Sequence, residues 1–184
     1  YEVNPKIPHL PGECALPVAM ADVIIESDLS LYELQDPPIG EAEKAVAGYA
    51  AEMVHDGDCI QLGFGGIPNA IGFELMDRHD LGIHTEQIGA SMAHMIQNGV
   101  VTNLYKNLDR GWSVGTFIIA DNFTYEYLNN HPRVMMRRGR YTNDPLNIAQ
   151  QDNMVSINAA LQIDLTGQVA AEALGYIQWS GTGG

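Results

Sequence analysis

The run Gln61-Leu62-Gly63-Phe64-Gly65-Gly66-Ile67-Pro68-Asn69-Ala70 constrains this chain most, because a strand must end there in a glycine turn and a helix must begin at once. Glycines turn tightly and present backbone N–H groups with no side chain in the way, and proline suits the first turn of a helix, where its missing N–H is not needed. The product is a nest of outward-facing donors, suited to a phosphate or to the oxyanion of a thioester under attack. Two other readings compete with it. One is a plain strand-to-helix turn. The other is the dinucleotide-binding turn of a Rossmann-type oxidoreductase, which shares Gly-x-Gly and an acidic residue some way downstream, here Glu86. Pro68 counts against the second, since that fingerprint wants Gly or Ala at its sixth position for close helix–strand packing.

The segments around this turn alternate. Ala42, Ala45, Val46, Tyr49, Ala50, Met53 and Val54 recur at three- and four-residue intervals and predict an amphipathic helix over 40–54, with that set as its apolar face. Strand-like and helix-like stretches follow at 59–62, 69–76, 81–84, 91–97 and 100–102, a βαβαβ pattern. A further strand is expected over 113–119 and a helix over 122–129, and residues 154–159, 161–165 and 168–171 are short runs separated by turn residues. The expected fold is therefore α/β, a largely parallel open sheet flanked by helices, with a short-stranded final third. In such sheets ligands sit at the carboxyl ends of the strands. Residues 1–38, with Pro5, Pro8, Pro11 and Pro17 and one strand expected over 22–26, read as an irregular lead-in and linker from an amino-terminal domain outside this sequence. Residues 39–184 read as a carboxyl-terminal domain cut before its end, since the sequence opens without Met and stops on Gly181-Thr182-Gly183-Gly184.

Nine Lys and Arg against 23 Asp and Glu give a formal charge of −14, which repels a polyanionic backbone, so nucleic acid is not an expected partner. That charge leaves room for a small anion held by backbone donors and a local cation or two. The cysteines, Cys14 and Cys59, lack a second Cys or a His at ligand spacing, so neither a disulfide framework nor a metal site is expected. No apolar run approaches the ~20 residues that cross a bilayer, and the opening residues carry no signal-like pattern. A cytoplasmic protein is expected, without membrane contact.

Leu81-Gly82-Ile83-His84-Thr85-Glu86 places a carboxylate at the carboxyl end of the next strand, on the edge that carries the glycine turn. A carboxylate beside a donor nest can attack a carbonyl whose developing charge the nest stabilises. GFGGIPNAI, LGIHTE, the spacing between them, and the later NDPLNIAQQDNMVSINAALQIDLTGQVAAEALG with SGTGG resemble successive signatures of the 4-hydroxybutyrate/butyrate:acetate CoA-transferases, within the acetyl-CoA hydrolase/transferase group. The resemblance runs in order along nearly the whole chain. It implies that Glu86 is the nucleophile that forms a glutamyl-CoA thioester, that Gly63, Phe64, Gly65, Gly66 and Ile67 form a CoA-binding loop, and that Ala160 and Gly183 touch CoA. Within that loop the N–H groups of Gly65, Gly66 and Ile67 are the candidate oxyanion donors. It implies further a CoA-transferase fold with a second α/β domain across the active site, coenzyme A as substrate and covalent thioester with no metal, acyl-CoA and a short-chain carboxylate such as acetate as partners, and a homo-oligomer, a dimer. An acyl-CoA hydrolase of the same family, and a non-catalytic CoA-binding or assembly domain, stay open as alternatives. Two positions depart from the family's pattern: Gln87-Ile88-Gly89-Ala90-Ser91 follows Glu86 where Ser-Asp-Gly is common, and Gln162 stands where an acid is common.

Other residues carry weaker signals. His84 lies two before Glu86 and so on the same face of a strand, where a buried structural histidine competes with a general base. Arg133, Arg137, Arg138 and Arg140 form the basic cluster, set either toward CoA phosphates or toward solvent or a subunit contact. Met92, Met95 and Cys59 read as core, and Asp164 as a group behind the site.

Overall fold

The computed structural model describes residues 1–34 and 38–181. Two short lead-in strands, β1 (Glu2–Val3) and β2 (Ile25–Glu26), pair in parallel with each other, so the strand expected over 22–26 shrinks to its last two residues. Helix α1 (Glu41–Ala51) is followed by β3 (Cys59–Leu62), α2 (Gly66–Glu74), β4 (Gly82–Ile83), β5 (Gln87–Ile88), α3 (Ala90–Gln97), β6 (Ser113–Gly115), β7 (Phe117–Ile118), α4 (Asn122–Leu128) and β8 (Val134–Met136). Two single-turn helices, α5 (Gly139–Thr142) and α6 (Pro145–Ile148), lead to β9 (Met154–Ile157), and the final third closes in two hairpins, β10 (Gln162–Ile163) with β11 (Val169–Ala170) and β12 (Ala173–Leu174) with β13 (Ile177–Gln178). Among the described residues no helix is long and apolar enough to cross a membrane.

Strands β4, β3 and β9 form a parallel sheet with β3 at its centre. A parallel bridge between His84 and Val114 joins this sheet to the parallel pair β6 and β8, and a second bridge sets Gly12 of the lead-in on the outer side of β8 at Met136. The expected α/β architecture is present, with Ile60, Ile83 and Val114 fully shielded on its central strands. Such burial on both faces is what an all-parallel sheet requires.

Helices α1, α2, α3 and α4 pack in series, with Ile71, Leu75, Met92, Met95 and Leu128 filling the space between them and the sheet. The face of α1 differs from its sequence-based assignment. Ala47 and Ala51 are buried against α2, with Val54 just beyond, whereas Val46, Tyr49 and Met53 are exposed. Small residues allow the close approach of the two helices, and that proximity decides which stripe faces inward.

Three other expectations shift. The helix after the glycine turn begins at Gly66, so Pro68 is its third residue, still within the turn whose N–H groups have no helical acceptor. The strand expected over 113–119 breaks at Thr116, and its two pieces join different partners, β6 with β8 and β7 with β5. The strand expected over 100–102 reduces to one bridge between Leu81 and Val101.

Candidate active site

Because β3, β4 and β9 are parallel and in register, their carboxyl ends open on one edge. Three chain segments leave that edge together: Gly63 to Gly65 from β3, Thr85 and Glu86 from the β4 side, and residues 158–161 from β9. They border a cleft of about 720 Å³ whose walls include Gly63, Phe64, Glu86, Gln87, Ala160 and Trp179. Glu86, Gly63, Phe64 and Ala160, separated by up to 97 positions in pair contacts such as Gln61 to Asn158, are thus brought to one place by strand pairing.

The backbone of Glu86 is held firmly. Its carbonyl oxygen accepts from the N–H groups of Thr116 (2.7 Å) and Phe117 (3.1 Å), which explains the break between β6 and β7. The preceding Thr85 N–H donates to Val114 O (3.0 Å) and its hydroxyl to Gln87 O (3.0 Å). The Glu86 carboxylate is half-buried and has no hydrogen-bond or ion-pair partner among the described residues. A carboxylate presented to a cleft with its lone pairs uncommitted is equipped to attack an electrophilic carbon.

The glycine turn is shaped for donors. Gly65 caps α2 at φ 116° and ψ 175°, a region essentially reserved for glycine, and Gly66 and Ile67 open the helix. The N–H groups of such a first turn lack intrahelical acceptors, and the helix dipole adds a positive end. Gly63 is needed for another reason: a Cβ there would lie 2.5 Å from Asn158 Oδ1. Gly65 lines a smaller cavity behind the turn together with Gly63, Asn69 and Gln87. Gly66 and Ile67 are not among the residues bordering the large cleft. Gly183 lies outside the described residues.

Several site residues were not singled out in the sequence as part of the site. Gln61, Ser156 and Asn158 make a polar triangle on the cleft side of β3 and β9: Gln61 Nε2 donates to Asn158 Oδ1 (3.1 Å), while Ser156 Oγ (2.5 Å) and Asn158 Nδ2 (3.0 Å) donate to Gln61 Oε1. The one signal for Gln61 is a polar side chain inside the apolar run of a central strand. Gln87 is buried, its Nε2 donating to Ile119 O (2.9 Å) and its Oε1 left without a partner among the described residues. Trp179, from the last hairpin, stands 66% exposed at the rim.

The remaining candidates separate from the cleft. Arg137 is engaged elsewhere, with Asp109 at 2.7 Å, Glu13 at 3.5 Å and its guanidinium over the Tyr141 ring; burial would raise the Asp109 pKa, but hydrogen bonds from Arg137 and Tyr141 hold the carboxyl below its ordinary range. Asp164 is fully exposed and accepts from Thr166 N–H (2.8 Å) and Gln168 N–H (3.0 Å), so it shapes a hairpin turn, and those bonds lower its pKa. Gln162 Oε1 accepts from Gly175 N–H (2.7 Å) and ties one hairpin to the next. Met92, Met95 and Cys59 are buried as core side chains.

Residues 121–184 match the acetyl-CoA hydrolase/transferase C-terminal domain. The whole chain aligns with the succinyl-CoA:cyclohexane-1-carboxylate CoA transferase of Geobacter metallireducens, 44% identical over 183 residues, and with the 4-hydroxybutyrate coenzyme A transferase of Clostridium kluyveri, 40% identical over 183 residues. In both alignments 100% of this chain is covered, against 42% and 43% of those relatives, so the chain spans well under half their length. Among solved structures, RipA from Yersinia pestis superposes with a TM-score of 0.87 at 45% identity, over 93% of this chain and 40% of that one.

Proposed function

The chain belongs to the acetyl-CoA hydrolase/transferase family, and on that premise we propose that it contributes the nucleophile and a CoA-binding loop to a CoA-transferase working through a glutamyl-CoA thioester on Glu86. The observation that carries the proposal is the meeting of the Glu86 carboxylate, uncommitted among the described residues, with Gly63, Phe64 and Ala160 in one cleft, at the carboxyl ends of three parallel strands. The substrates are a short-chain acyl-CoA, of butyryl or 4-hydroxybutyryl type, and a carboxylate such as acetate.

The reaction is an exchange with no net proton or electron. A Glu86 carboxylate oxygen attacks the acyl carbonyl carbon, and the oxyanion of the tetrahedral intermediate is met by backbone N–H groups of the glycine turn, which enters the cleft at Gly63 and Phe64. Collapse breaks the C–S bond, releasing CoA thiolate and leaving an acyl-glutamyl anhydride. The thiolate attacks the Glu86 carbonyl carbon, forms the glutamyl-CoA thioester and expels the first carboxylate. The incoming carboxylate then runs these steps in reverse and departs as its CoA ester.

Full-length protein incubated with butyryl-CoA is expected to carry a CoA adduct that peptide mass spectrometry places on Glu86, and Glu86→Ala is expected to carry none. Absence of the adduct from the wild type, or its persistence in Glu86→Ala, defeats the covalent reading.

A further inference from the structure

Glu86 also borders a second and smaller chamber of about 100 Å³, lined by Gln61, His84, Asn143 and Ser156 and by the apolar Ile148 and Met154. Glu86 therefore borders two spaces, the large cleft and this smaller chamber. His84 precedes it by two residues and is only 1% exposed. The histidine ring Nε2 lies 2.9 Å from the carbonyl oxygen of Thr142, at the end of α5. A carbonyl oxygen can only accept, so Nε2 carries the hydrogen and Nδ1 is a bare acceptor. Burial depresses the pKa of the ring and keeps it neutral, preserving that tautomer. Nδ1 has no hydrogen-bond partner among the described residues.

A fully buried acceptor left without a protein partner is rare and costly, and its ordinary resolution is an internal water that bonds neighbouring polar groups as well. The chamber is of a size that admits water, and His84 and Glu86 both border it, with Ile148 and Met154 on its apolar side. We propose that His84 is a positioning residue for Glu86: its Nδ1 accepts a hydrogen bond from a water in the chamber, whose other hydrogen is donated to the Glu86 carboxylate. The bridge fixes one carboxylate oxygen toward the chamber and leaves the other aimed at the cleft. A neutral ring suits this task, because an imidazolium would donate toward the carboxylate and weaken it as a nucleophile.

The inference rests on Glu86 being the nucleophile, and two variants separate positioning from plain support of the fold. In His84→Gln the side-chain amide reaches the place of Nε2 and keeps the donor to Thr142 O, but the Nδ1 acceptor is gone. In His84→Asn the amide oxygen replaces Nδ1, but the bond to Thr142 is gone. Full-length His84→Gln is expected to melt close to the wild type yet form the Glu86 adduct roughly tenfold more slowly, in kcat with KM little changed, whereas His84→Asn melts lower and loses less rate. Wild-type rates in His84→Gln, with the loss confined to His84→Asn, overturn the proposal in favour of a structural histidine. If the wild type forms no adduct, the covalent reading fails separately, and a high-resolution crystal structure of the full-length protein decides the bridge. A water within hydrogen-bond distance of both Nδ1 and the Glu86 carboxylate upholds it, and the lack of one overturns it.

Discussion

Lys106 and Cys59 are buried close enough to feel each other's charge, and their environments push them in opposite directions. Lys106 is 3% exposed, lies across Gly82, and donates from Nζ to Ile83 O (2.8 Å) and Trp112 O (2.7 Å). Burial draws its pKa down to about 8 from 10.5, while burial pushes the Cys59 thiol up to about 11 from 9.0. Between pH 8 and 10.5 the unfolded chain binds more protons at Lys106 than the folded one, so stability from this group rises with pH over that window. Between pH 9 and 11 the folded chain keeps the Cys59 proton that the unfolded one loses, so stability from that group falls. Urea titrations of the wild type should show a rise from about pH 8 to 9 that flattens above it, Cys59→Ala should keep rising, and Lys106→Met should only fall, each effect being on the order of 1–3 kcal/mol. A flat wild-type profile with unchanged variants contradicts this assignment. Cys59 already reads as core in the sequence, whereas the burial of Lys106 is not visible from spacing, because Lys106 reaches carbonyls of two other segments. Glu86, Gly63 and Phe64 were legible, since a strand end, a glycine turn and their interval are local facts. Asn158 and Gln61 meet across 97 positions, and only the pairing of β3 with β9 reveals it.

At the scale of elements, the turn into α2 makes the sharpest demand on sequence. Gly65 at φ 116° and ψ 175° occupies a conformation that costs other residues about 1–3 kcal/mol, so Gly65→Ala should destabilise by that amount or re-aim the turn. Where the turn is re-aimed, adduct formation at Glu86 should fall by more than tenfold, the scale of a displaced oxyanion donor. The cap of α4 offers a control of similar energetic size. Asp121 accepts from Thr124 N–H (2.9 Å) and Thr124 Oγ (2.6 Å), and Asp121→Ala should lower stability by about 1 kcal/mol in a urea titration while leaving the adduct rate as it was. A catalytic defect in Asp121→Ala would mean that α4 is coupled to the site. Elements with long periodic patterns or strong apolar runs, β3 and α3 above all, were readable in the sequence. The inward face of α1 was not, because hydrophobicity ranks Tyr49 and Met53 above Ala47, whereas close contact with α2 favours the smaller side chain. The break at Thr116 was also hidden, its cause being the Glu86 carbonyl oxygen thirty positions earlier in the chain.

Across the whole molecule, apolar burial is concentrated between Ala47 and Met136, with Leu10 added from the lead-in. The parts outside that range are built differently. Strands β1 and β2 and the hairpins β10 to β13 are two-residue pairs with mostly exposed side chains, including Ile25 at 60%, Ile163 at 71%, Tyr176 at 98% and Trp179 at 66%. Isolated two-stranded pairs are marginal in water, and backbone hydrogen bonds open to solvent break by local opening and not by global unfolding. Hydrogen exchange on this chain by itself should therefore protect Ile60, Ile83 and Val114 up to the global stability, while amides of β10 to β13 exchange far faster. The final hairpins also supply Trp179 and Ser180 to the cleft that Glu86 borders, so a ligand there orders them by mass action. In the full-length protein, saturating CoA should slow exchange across residues 158–180 and change Trp179 emission, and Trp179→Phe should remove the fluorescence change without abolishing the slowed exchange. Equal protection of core and hairpins in the isolated chain would show that the final third is stable on its own, and an unchanged exchange pattern with CoA would place the ligand elsewhere than this cleft.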